Sequence, residues 1–100
     1  VASHLLKYCH FKEDTEGDRY ELRFLRDQLG HEVDFVVLKN KIPQFAVECK
    51  TGEKQISKSL NYFKSRTKIP KFFQVHRGTK SYQSEGISVI PFTEFCLLLN

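Results

Sequence analysis

Three short segments in the first half of the chain constrain the fold more than any other feature. Tyr20–Arg26 alternates, with Tyr20, Leu22 and Phe24 on one side, while His31–Leu38 is rich in β-branched and aromatic residues and Gln44–Lys50 carries an apolar Phe-Ala-Val run. Asp27–Gly30 and Lys39–Pro43 separate them as turns. Alternation with a period of two marks a strand with one buried face, and connections this short require antiparallel neighbours. Pairing Arg26 with His31 sets Phe24 against Val33, Leu22 against Phe35 and Tyr20 against Val37. Pairing Asp34 with Glu48 in the second hairpin brings Phe45, Val47 and Cys49 onto the face of Val33, Phe35 and Val37. One face of the meander is then uniformly apolar, and a one-residue slip would reverse the faces.

The remaining segments extend this sheet. Val1–Tyr8 reads as the end of a helix and Lys12–Asp18 as a polar loop. Lys54–Lys64 carries Ile56, Leu60 and Phe63 at helical spacing. Lys71–Val75 is a strand, His76–Gly86 a loop, and Ile87–Ile90 a short strand ended by Pro91. Thr93 caps a closing helix, Glu94–Leu99. The predicted order is α-β-β-β-α-β-β-α, an α/β fold. The stretch from Phe45 to Val75 is long enough for a parallel crossover, so a mixed sheet is expected.

With 100 residues, 40% of them hydrophobic, the chain fills one core, and residues 1–100 are read as one domain. It contains no Met and opens directly in a helical pattern, which reads as the C-terminal fragment of a longer protein. No run approaches the roughly 18 apolar residues of a membrane span, and the first residues lack a signal-peptide core, so no membrane partner is expected. The three cysteines, Cys9, Cys49 and Cys96, show no metal-finger spacing. They read as free thiols of a reducing cytoplasm. A formal charge of +4 permits nucleic-acid binding without demanding it.

The polar face of the meander carries the candidate chemistry: Glu32, Asp34, Glu48 and Lys50. Residues two apart share a strand face, so Glu48 and Lys50 point the same way. The register sets Asp34 against Glu48 at about 5 Å between Cβ atoms. Two carboxylates that close repel unless a cation lies between them, and Mg²⁺ or Mn²⁺ prefers oxygen ligands of this kind. Lys50, one pleat away, could offset negative charge on a phosphate. Against this, charged side chains on a solvated hairpin face are ordinary, and Glu48 could simply pair with Lys50 or Arg23. The strand Phe45–Lys50, however, is otherwise apolar on both faces, and inner strands rarely carry unpaired charge.

Asp34, thirteen intervening residues, then Glu48-Cys49-Lys50 resembles the D…(D/E)-x-K signature of the restriction-endonuclease-like nuclease superfamily. More narrowly, Phe24–Phe35 followed by Phe45–Lys50 is similar to the C-terminal domain of a group of prokaryotic AAA-type ATPases. The resemblance implies a restriction-endonuclease-like core, with Asp34 and Glu48 as metal ligands and Asp34, Glu48 and Lys50 as catalytic residues. Glu32 would be a neighbouring acid. It implies Mg²⁺ or Mn²⁺ as cofactor, DNA phosphodiester hydrolysis as the activity, and an N-terminal ATPase module of the same protein as a partner. Many superfamily members use a further acid from the first helix, and Val1–Tyr8 contains none. Slow or no cleavage by this chain alone is therefore expected, with Mn²⁺ bound more readily than Mg²⁺. No phosphate-binding G-x-x-x-x-G-K-[ST] motif is present, so no ATP site is expected in this fragment. Lys54, Lys58 and Lys64 are candidates for holding a nucleic-acid backbone, with Gln55 a further candidate polar contributor and Tyr62 interleaved. The rival expectations are a catalytically inactive interaction or assembly domain, and nucleic-acid binding without cleavage.

Overall fold

The computed structural model describes residues 2–50 and 56–99. Nine elements follow in order: α1 (Ala2–Glu16), β1 (Tyr20–Arg26), β2 (Glu32–Lys39), β3 (Ile42–Cys49), α2 (Lys58–Arg66), β4 (Phe72–His76), β5 (Tyr82–Ser84), β6 (Ile87–Pro91) and α3 (Phe92–Leu99). The six strands form one mixed sheet in the order β1-β2-β3-β4-β6-β5. The meander β1-β2-β3 is antiparallel, β3-β4 and β4-β6 are parallel, and β5-β6 is an antiparallel hairpin. The predicted α/β class, the meander and the parallel crossover through α2 are all present.

Helices cover both faces of the sheet. On one side α1 and α3 bury Leu5, Cys9 and Phe95 against Tyr20, Val37, Phe45, Val47, Val75 and Ile90. On the other, α2 buries Leu60 and Phe63 against Val36, Ala46, Phe72, Ile87 and Val89. This double cover explains why β3 reads as apolar on both faces: Phe45 and Val47 serve one layer and Ala46 the other.

Several details depart from the sequence expectation. Residues Lys12–Glu16 belong to α1 rather than to a loop. Lys12 pairs with Glu16 one turn later at 2.9 Å, and the Thr15 hydroxyl donates to the Phe11 carbonyl at 2.8 Å. A polar face with i,i+4 pairing sustains a helix as well as an apolar stripe does. The helix stops at Gly17, whose φ of 76° suits a left-handed terminus. The expected Lys39–Pro43 turn shrinks to Asn40–Lys41, both at positive φ (52° and 68°), a two-residue hairpin turn. Asn40 suits it because its side chain bridges Arg19 N at 3.0 Å and the Asp18 carboxylate at 3.1 Å. Pro43 therefore lies inside β3, opposite Leu38 at a register shift. The loop from His76 to Gly86 contains a strand, β5, that the sequence reading lacked. It is too short and too polar (Tyr82-Gln83-Ser84) to show alternation.

The first hairpin is also offset from the expected register. Leu22 faces Val37 and Tyr20 faces Lys39, but between Arg23–Val36 and Leu25–Val33 a bulge in β2 sets Asp34 and Phe35 against Phe24 alone. Phe24 is exposed, and the extra β2 residue turns Val33 into the α2 layer beside Val36 rather than with Phe35 and Val37. A bulge inserts one unpaired residue and reverses the faces beyond it. The second hairpin follows the expected register: Phe35 faces Val47, Val36 faces Ala46 and Val37 faces Phe45. Helix α2 begins at Lys58, and α3 starts at Phe92, before Thr93. The predicted helical residues Lys54 and Gln55, and the predicted strand end at Thr51-Gly52, lie outside the described residues.

Candidate functional site

The β2–β3 ladder ends at Phe35–Val47, and Asp34 and Glu48 lie just past it at the open end of the meander. The regular ladder stops here. The amide of Cys49 donates not to a β2 carbonyl but to the Asp34 carboxylate, at 2.9 Å. That bond holds Asp34 Oδ2 against the main chain between Glu48 and Lys50. Lys50, one residue beyond β3, donates its own amide to the Val75 carbonyl of β4 at 2.8 Å, so its backbone is fixed even though its side chain is exposed.

Two cavities meet at Lys50. One, of about 540 Å³, lies toward α1 and α3 and is lined by Asp34, Lys50, His76 and Arg77 among others. The second, of about 460 Å³, lies toward α2 and is lined by Glu32, Glu48, Lys50, Ser57 and Lys58 among others. The two carboxylates therefore do not share the one polar face expected from the sequence: Asp34 opens on the α1/α3 cavity and Glu48 on the α2 cavity, with Lys50 between them at the strand ends. They remain close enough to feel each other. Burial pushes the Glu48 carboxyl above its ordinary range, and the charges of Asp34 and Glu32 add to that rise against the opposing Ser57 hydroxyl and Lys50. The cause is desolvation first and like charge second.

Glu48 is 8% exposed and is not left bare. Its Oε2 accepts a short hydrogen bond from the Ser57 hydroxyl. Ser57 is the N-cap of α2, with its Oγ also accepting from Leu60 N at 3.4 Å. The Ser57 amide in turn donates to Gln74 Oε1 at 2.7 Å, and Gln74 sits beside Glu48 in the β3–β4 ladder, fully buried. Glu48, Ser57 and Gln74 therefore form a buried polar knot tying the start of α2 to the two central strands. A carboxylate at a helix N-terminus is also favoured by the helix dipole.

Sequence reasoning did not identify Ser57, Gln74, His76 or Arg77. For Gln74 the signal was available: a polar residue amid Phe72-Phe73 and Val75 on an inner strand raises the same question as Glu48 does. Ser57 shows a cap signature only once the helix start is moved to Lys58. Of the candidate backbone-binding lysines, Lys58 joins the Glu48 cavity. Lys64 lies against the β5–β6 turn, where its Cε stands 2.6 Å from the position a Cβ on Gly86 would take, and Lys54 lies outside the described residues. Tyr62 stacks on His31 at 3.6 Å between centroids, and the Arg66 guanidinium lies 4.0 Å from its ring centroid.

The longer α1 adds Glu13, Asp14 and Glu16, but at the wrong end for this site. Ala2 borders the Asp34 cavity, whereas Glu16 accepts from Tyr20 Oη at 2.9 Å and pairs with Lys39 at 3.4 Å, at the far end of β1 and β2. A helix of this length spans roughly 22 Å. The donor chemistry suits a hard divalent cation. Asp34 and Glu48 offer carboxylate oxygens alone, and Mg²⁺ commonly uses one or two carboxylates with water and phosphate completing its shell. Among the described residues, no group of three or more His, Cys, Asp or Glu side chains comes together as a metal cage. Among the same residues, no helix is long and apolar enough to cross a membrane.

Comparison with known proteins yields one family match. A model described as a domain of unknown function, DUF4143, matches residues 1–95. No curated protein and no solved structure matches.

Proposed function

We propose that this chain, which belongs to the DUF4143 family, is a nuclease-like domain with a restriction-endonuclease-like core, acting on the phosphodiester bonds of DNA. The observation that carries this reading is the arrangement around Lys50. An ammonium flanked by Asp34 and Glu48 stands at the point where β2 and β3 part, with an open cavity on either side. Domains of this family are commonly found with ATPases, which supports the further reading that an ATPase module of the same protein positions the substrate.

In this reading Asp34 and Glu48 would hold a Mg²⁺ or Mn²⁺ ion, which requires their carboxylates to reach one another around the strand ends beside Lys50 from the two cavities they line. Such an ion supplies a bound water of lowered pKa and polarises a phosphate oxygen. The residues of the chain do the rest. Cys49 N fixes one Asp34 oxygen, leaving the other oxygen to bind. Lys50 offsets the negative charge that grows on the phosphate in the transition state. Burial of Glu48 makes its charge costly without a cation beside it, so its ionised form and the ion favour each other.

A second reading is favoured by one observation. Glu48 already has a structural partner in Ser57 and the α2 N-terminus, as expected of an inactive interaction or assembly domain that keeps its acids for the fold. Mn²⁺ titration by calorimetry, alongside plasmid nicking with Mg²⁺ and Mn²⁺, separates the two. The nuclease reading expects Mn²⁺ binding that is lost in Asp34→Asn and Glu48→Gln, and slow nicking that is lost in Lys50→Ala with Mn²⁺ binding retained. Identical Mn²⁺ titrations for the native protein and both acid variants would sink it.

A further inference from the structure

The cavity on the α1/α3 side holds a pair of cations that neither the fold nor the proposed metal ligands require. Lys50 and Arg77 each stand one residue beyond a strand end, after β3 and β4 respectively. Those strands are parallel neighbours with Cys49 beside Val75, which sets Lys50 level with His76 and Arg77 one residue further along the neighbouring strand. Both line the same cavity. Among the described residues, neither forms an ion pair. The crevice beyond the carboxyl ends of parallel strands is also where open α/β sheets place their ligands.

The loop that carries Arg77 is held from within. His76, 1% exposed, accepts at Nδ1 from the Gly78 amide at 2.9 Å, and its Nε2–H donates to the Lys80 carbonyl at 2.8 Å. One ring therefore fixes both sides of the turn on which Arg77 sits. A guanidinium matches two phosphate oxygens with a planar fork, and an ammonium adds a point charge at a third. A fixed backbone lowers the ordering cost of that contact.

We propose that this cavity binds a phosphodiester of a nucleic-acid strand, with Arg77 and Lys50 as its two contacts. The proposal deepens the nuclease reading and rests on it for the identity of the anion. Asp34 faces the same space and opposes an anion through its charge. Removing that charge therefore strengthens strand binding when no divalent ion is present, and a divalent cation has the same effect.

The test is fluorescence anisotropy of a labelled short DNA duplex and of its single strand, in EDTA and in Ca²⁺, across a salt series. Arg77→Ala is expected to weaken binding roughly tenfold, the loss of one charge-assisted contact. The slope of log affinity against log salt should become shallower by about 0.9. Arg77→Lys should restore the slope, and Asp34→Asn should bind more tightly than the native protein in EDTA. Arg77 is exposed, so the variants are expected to melt with the native chain. Free inorganic phosphate at the concentration of the strand's phosphates should compete poorly; full competition would show a small-anion site and overturn the assignment to a strand. Native binding with an unchanged slope in Arg77→Ala, or no binding by the native protein at low salt, would also overturn it. Mn²⁺ titration of Arg77→Ala keeps the two ideas apart. Loss of DNA affinity in that variant, with no Mn²⁺ taken up by the native protein, supports the anion cavity while removing the nuclease reading.

Discussion

Replacing Ser57 with Ala should destabilise the domain by about 3 kcal/mol at pH 8. The loss of an N-cap hydroxyl costs about 1 kcal/mol, since Leu60 N loses its acceptor. The loss of the donor to Glu48 costs about 1.5–3 kcal/mol, because the acceptor is ionised and buried. The Ser57 amide bond to Gln74 survives the change and limits the damage. For a domain of this size that corresponds to a fall in Tm of roughly 12–24 °C. The effect should depend on pH, and the sign follows from Glu48. The Ser57 hydroxyl opposes the rise of the Glu48 pKa, so its removal raises that pKa further. Below the ordinary carboxylate range Glu48 is protonated in both proteins, and only the cap and a neutral hydrogen bond are lost, about 2 kcal/mol. As pH rises through the folded pKa of the native protein, the gap between the two widens. Urea denaturation of both proteins at pH 4, 6 and 8 measures this, with Ser57→Thr as the variant that keeps the hydroxyl. A loss under about 1 kcal/mol that is the same at every pH would show that the Glu48–Ser57–Gln74 knot does not hold α2 to the sheet.

Three further outcomes follow from single features. Glu48→Gln should be at least as stable as the native protein at pH 8: burial raises the folded pKa of Glu48, so native stability is fullest below the unfolded pKa and falls as pH rises through the folded one. Denaturation curves in which this variant is weaker at pH 8 than at pH 4, relative to the native protein, would contradict that account. Gly86→Ala should cost about 1–2 kcal/mol, because Gly86 has a φ of 80° and its new Cβ would displace the Lys64 methylene at 2.6 Å; an unchanged melt would show that the β5–β6 turn adapts freely. In an NMR titration Glu16 should ionise at about 2, held down first by Lys12 and then by the Tyr20 hydroxyl, and a midpoint in the ordinary carboxylate range would mean these contacts do not persist in solution.

The parts of the fold legible in the sequence are those where local pattern and burial agree. The second hairpin is one: Phe35, Val37, Phe45 and Val47 alternate against each other, and the pairing follows. The first hairpin has equally good alternation but contains a bulge in β2 at Asp34–Phe35, and an extra residue leaves no trace in a period-two pattern. Lys12–Glu16 reads as a loop because its helical support is an ion pair and a hydroxyl bond rather than an apolar stripe. β5 is held by pairing with β6, a non-local cause. Around the candidate site, Asp34, Glu48 and Lys50 stand out as charged residues on otherwise apolar strands. The Ser57 and Gln74 partners of Glu48 arrive across the sheet from α2 and β4, and Arg77 meets Lys50 only because β4 lies beside β3.

The mixed pairing of the sheet also sets an order for its assembly. β1, β2 and β3 are joined by tight turns, so their contacts close short loops and form at little entropic cost. The first β3–β4 pair, Ala46 with Phe72, closes a much longer loop, and β6 joins only on β4. The amino-terminal meander is thus able to form while the parallel half is still unpaired, and long-range parallel pairing is the slow step. Until it completes, the β3 edge presents Phe45-Ala46-Val47, an apolar strand border open to other chains. Contacts that promote the docking of α2 and β4, the Ser57–Gln74 link among them, therefore govern how long a newly made chain remains prone to aggregation.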